Sequence, residues 1–170
     1  MFDQIGDMPL HPLVIHVPVL GIPLSLLLTL LFAFPRTREW ARWPLAITVL
    51  GSTAATWVAE QSGEALQASL QITGGNPVGD LVNQHSALAG QLFYIMLGFS
   101  AITLHNVVLV RTVPAADGRP EEGKPAAPLR ILLVVTMAAV GVLAFIWVAR
   151  VGDLGARAVW NPTGTGLFPF

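Results

Sequence analysis

Apolar residues gather along this chain in four long runs, at about 17–34, 44–59, 87–110 and 131–149, and between them proline, glycine and charge return. A helix needs about 20 residues to cross a hydrocarbon core of about 30 Å, so these runs predict membrane spans; the one at 44–59 is short and would tilt least. None of them alternates in the manner of a barrel strand, and backbone in lipid must satisfy its polar groups internally. The pattern therefore predicts an all-α fold, an integral membrane four-helix bundle forming a single domain over residues 1–170.

Basic residues orient the bundle. Arg36, Arg38 and Arg42 fall between the first two runs, and Arg111, Arg119, Lys124 and Arg130 between the last two. Both connections are expected in the cytoplasm, which puts the N- and C-terminal ends outside. The acidic opening "MFDQIGDM" lacks the basic flank of a cleaved signal peptide. The connection 112–129, with its "AADGRPEEGKPAAP", reads as a flexible cytoplasmic linker. "EQSGEALQASL" has helical composition, "TGGNPVGD" reads as turns, and the third helix is expected to begin near His85. Arg150 and Arg157 break the charge pattern on the outer side.

Composition narrows the chemistry. Only 11% of the residues are charged against 54% apolar, and the net charge is -1, which gives no basic surface for nucleic acid. There is no cysteine, hence no disulfide, thiolate metal site or thiol nucleophile. Gly51, Ala55, Ala59 and Gly63 recur every four residues and form a smooth helix ridge suited to close packing, or to a flat cofactor.

Polar groups with chemical potential concentrate at the outer end: His11, His16 and His85, with Glu60, Glu64, Asp153, Arg150 and Arg157 at similar depth. His105 lies twenty residues after His85, about 30 Å along a helix, and reads as a helix-end histidine of the inner side. Ionisable groups at membrane depth point to a site by default, although interfacial ones reach water more cheaply.

"HPLVIHVP" at 11–18 resembles the opening signature of the bacterial membrane proteins grouped as the domain of unknown function 2231 (DUF2231) family. "SGEALQ" followed by "QHSALAG", and the closing "GDLGARAVW", are similar to that family's loop and Gly-rich end. The resemblance covers nearly the whole chain and implicates His11, His16, Gly63, Glu64, His85, Gly152 and Gly155. Some members are joined to Rieske-type iron–sulfur domains, which implies an electron-transfer setting. Arg157 and the tail "NPTGTG" depart from the family pattern.

Three functions follow as expectations for a multi-pass protein of the bacterial inner membrane. The preferred one is a redox component holding haem b, with His16 and His85 as axial ligands and Arg150 and Arg157 receiving the propionates. The second is a hydrolase with a divalent metal ion among His11, His16, His85 and Glu64 or Asp153, although there is no HExxH run. A non-catalytic accessory or assembly subunit of a membrane complex is the third. Electron carriage or an accessory role is favoured over enzymatic activity. No GxSxG elbow or inverted repeat supports a serine hydrolase or a transporter.

Overall fold

The computed structural model describes residues 4–109 and 127–163. After a two-stranded antiparallel ribbon, β1 Gln4–Ile5 and β2 Met8–Pro9, come the short helix α1 Leu10–Val14 and four long ones: α2 His16–Ala33, α3 Arg38–Ser69, α4 Pro77–Leu109 and α5 Ala127–Trp160. Each long helix packs on its neighbours in the cyclic order α2–α3–α4–α5, with α5 closing back on α2. Arg111, Arg119, Lys124 and most of the 112–129 connection lie outside the described residues, and α5 begins within the segment expected to be linker.

Three of the helices, Leu10–Ala33, Pro77–Val108 and Pro128–Trp160, are long and apolar enough to cross a membrane. α3 has the length, at 32 residues, but carries Ser52, Thr53, Thr56 and Ser62 buried against its neighbours. Most of these hydroxyls donate to carbonyls on the preceding turn of their own helix: Thr53 to Val49, Thr56 to Ser52, Ser62 to Ala59. Buried hydroxyls are thereby satisfied inside an apolar bundle. Thr53 and Ser100 also join α3 to α4, 2.8 Å apart.

The core between the helices is filled by Ile22, Leu28 and Phe32 of α2, Leu45 and Val49 of α3, Met96 and Phe99 of α4, and Met137 and Ala144 of α5. Small residues set the approach of the helices, as expected where lipid offers little drive for association. A side chain on Gly21 would collide with Ser52, and one on Gly141 would lie 3.2 Å from the Phe99 ring.

Two boundaries differ from the expectation. α3 runs on to Ser69 and stops in a Schellman turn: Gln71 adopts a left-handed φ of 52°, while the N–H groups of Gln71 and Ile72 reach the carbonyls of Ala68 and Gln67. α4 then begins at Pro77, eight residues before His85. Proline suits a first helical position, and the Asn76 side chain accepts from the Gly79 N–H at 2.9 Å, which is ordinary N-terminal capping. His85 therefore sits two turns inside a helix, on a rigid element.

Candidate functional site

Two histidines are held at one end of the bundle in the same way. His11 leaves α1 to lie on α3, where its Nδ1 is 2.8 Å from the Ala59 carbonyl oxygen and its ring covers Gly63, four residues on. From α4, His85 lies on α5 with Nδ1 2.9 Å from the Val151 carbonyl oxygen and its ring over Gly155, again four residues on. A Cβ on Gly63 would come within 3.0 Å of the His11 ring, and one on Gly155 within 3.1 Å of the His85 ring. The absence of a side chain at these glycines lets each imidazole rest this close to its helix, and a Cβ would push the ring back by a few tenths of an ångström.

A carbonyl oxygen can only accept, so each Nδ1 carries a proton, and in the neutral form of the ring the lone pair sits on Nε2. Neither Nε2 has a hydrogen-bond partner among the described residues. The two ring centroids are 6.2 Å apart and the planes stand at 88°. The helix hairpin α2–α3, entered through α1, and the hairpin α4–α5 thus each present one imidazole to the other.

The DUF2231 family, described as a predicted membrane protein, matches residues 7–165, a stretch that contains both mounts and all four long helices. The chain belongs to the DUF2231 family. Neither the curated proteins nor the solved structures include a match to it.

Within this DUF2231 chain, the structure puts His11, and not His16, beside His85. His16 is exposed and only approaches the Leu13 carbonyl, at 3.4 Å. Helix geometry explains the choice: Ile15 keeps helical angles between α1 and α2, and two residues five positions apart project about 140° apart around a helix. Glu64 and Asp153 are exposed, and no group of three His, Cys, Asp or Glu side chains gathers to hold a metal ion among the described residues. The set His11, His16, His85, Glu64 and Asp153 is therefore not brought together.

Arg150 and Arg157 face elsewhere as well. With Asp153 they line a cleft of about 640 Å³ on the flank of α4 and α5, about 130° around α5 from Val151 and Gly155. Glu60 reaches α4, its Oε1 3.1 Å from where a Cβ on Gly90 would be. His105 is exposed at the other end of the bundle, in a shallow groove with Ile102 and Leu133.

Sequence reasoning missed the part played by the two backbone carbonyls and by the repeat of the mount. The signal present was a glycine near the end of each of α3 and α5, Gly63 and Gly155, each paired with a histidine earlier in the same hairpin, His11 in α1 and His85 two turns into α4. The expected ridge divides: Ala59 and Gly63 form the His11 mount, while Gly51 meets nothing within 4 Å.

Proposed function

We propose that this DUF2231 protein crosses the bacterial inner membrane with all four long helices, ends outside, and carries a b-type haem between His11 and His85 as a one-electron carrier or the electron-transfer subunit of a membrane complex. The fourth span is α3, which at 32 residues is about 48 Å long and lies between two helices apolar enough to cross.

The arrangement of His11 and His85 carries the haem reading. His11 and His85 would hold the iron between them, one from each hairpin, their ring centroids 6.2 Å apart. Anchoring of Nδ1–H to a carbonyl is the usual second-sphere support of a metal-binding imidazole, since it fixes the tautomer and the ring orientation. With no third His, Cys, Asp or Glu gathered beside them among the described residues, the two imidazoles suit haem, whose iron the porphyrin already holds. A hydrolytic zinc ion would want three protein ligands and an open position.

Bound there, the haem would supply reversible one-electron chemistry. The chain's own residues do the rest. Ala59 and Val151 accept the Nδ1 protons, Gly63 and Gly155 let the rings rest on α3 and α5, and the two imidazoles would hold the haem for electron transfer.

The test is the absorption spectrum of protein made with adequate haem supply. A six-coordinate low-spin spectrum is expected that sharpens on reduction, disappears in His11→Ala and in His85→Ala, and survives in His16→Ala. Near-perpendicular imidazole planes further require a strongly anisotropic ferric electron paramagnetic resonance signal. A colourless protein, or loss of the spectrum in His16→Ala alone, rejects the reading.

A further inference from the structure

The cleft on the flank of α4 and α5 has no part in the histidine pair, yet it gathers the two guanidiniums that break the chain's charge pattern. Leu143, Ile146, Arg150, Asp153 and Arg157 fall at successive steps of three or four residues and so form one stripe along α5. Leu143 and Ile146 are exposed apolar residues of the spanning part. Beyond them Ala87, Leu88, Ala149 and Leu154 line the cleft together with the charged Arg150, Asp153 and Arg157.

The two arginines are not equivalent. Arg157 approaches Asp153 at 3.8 Å, so that pair is close to neutral. Arg150 lies over the Trp147 ring, 5.4 Å from its centroid, and has no carboxylate within ion-pair distance among the described residues. Trp147 is itself fixed, its Nε1 donating to Gln91 of α4 at 3.2 Å. Tryptophan is enriched at membrane–water interfaces, the depth we assign to Trp147. It sets Arg150 at the hydrocarbon boundary, with Arg157 about 10 Å further along the helix axis.

A cleft with an apolar wall running down into lipid, one uncompensated cation at headgroup depth and a net charge of +1 over Arg150, Asp153 and Arg157 is complementary to a singly charged amphiphile. We infer that this cleft binds an anionic phospholipid, its phosphodiester on Arg150 and one acyl chain along Leu143 and Ile146. The ligand seats from the membrane side, on a face of α5 turned away from His85, so its binding is separable from any cofactor at the histidine pair.

The full chain in nanodiscs of phosphatidylglycerol and phosphatidylethanolamine in equal parts tests this, the lipid retained after gentle detergent release being read by native mass spectrometry. Preferential retention of phosphatidylglycerol is expected, falling about fivefold in Arg150→Gln. Asp153→Asn should move it the other way, raising retention, and this arm still decides if Arg150→Gln fails to fold. Ala149→Phe, which fills the wall without touching a charge, should also release the lipid. Equal retention of both lipids by the parent, or retention unmoved by Arg150→Gln and Asp153→Asn, overturns the inference. Displacement by inorganic phosphate overturns it too, since the cleft would then be a simple anion site.

Discussion

The two histidine mounts share their geometry and differ in what holds them. His85 is part of the 33-residue helix α4, which packs along α5 for much of its length. His11 belongs to a five-residue helix with no buried residue, attached mainly to α3. Their carbonyl partners differ too. Among the described residues, His85 is the one side chain that donates to the Val151 carbonyl, whereas the Ala59 carbonyl also takes the Ser62 hydroxyl at 3.1 Å. One imidazole is thus built into the bundle, and the other is laid on it by a short arm. The same ligand geometry can rest on very unequal amounts of buried structure.

Enlarging the glycines breaks this comparison most directly. Gly155→Leu drives a side chain into the His85 ring where neither α4 nor α5 can retreat, and overpacking of this kind costs about 1–3 kcal/mol. Gly63→Leu meets the His11 ring in the same way, but α1 can lift away at little cost. Thermal unfolding in detergent should therefore show a clear drop for Gly155→Leu and almost none for Gly63→Leu, while both lose the low-spin absorption. Equal drops would mean that α1 is held as firmly as α4.

Removing the imidazoles from haem-free protein sharpens it further. His85→Ala leaves the Val151 carbonyl without its side-chain donor, a loss of about 0.5–1.5 kcal/mol. His11→Ala costs less, because Ser62 still reaches Ala59. Adding Ser62→Ala to His11→Ala should recover a loss comparable to that of His85→Ala. Thermal midpoints of the three variants decide it.

The smallest effect concerns Glu60, beside the first mount and without a counterpart at the second. Burial, and then the neighbouring Glu64, push its carboxyl above the ordinary value of 4.5. The folded chain then holds this proton more tightly than the unfolded chain, so its contribution to stability declines as pH rises through and above that value. Glu60→Gln should be slightly more stable than the parent at neutral pH, with the difference closing below pH 4.5. A difference that grows on acidification would show the opposite shift.

Much of the fold was legible in the sequence, and the site was legible in part. Runs of apolar residues and the first proline-flanked helix start announced themselves, because lipid imposes length and composition on any helix that crosses it. α3 was harder: its buried Ser and Thr lower its apolar character, yet the hydroxyls of Thr53, Thr56 and Ser62 are satisfied within the helix, so a polar letter did not mean a polar surface. His85 could be placed at its depth from the chain alone. The structure sets His11, and not His16, beside His85, and that placement depends on whether Ile15 continues the helical turn between two prolines, a fraction of a turn that no periodicity encodes. Arg150 and Arg157 matched the histidines in depth but not in direction, and rotation about a helix axis is fixed only by the neighbours it packs against.

Because each hairpin owns one imidazole and the glycine shelf beneath it, neither half is complete without the other. A metal centre gripped between them would act as a clasp, formed only after the later hairpin has entered the bilayer and found the earlier one. Severing the chain between α3 and α4 would leave two pieces able to recombine around that clasp, and each would be blank to the spectrometer when made alone.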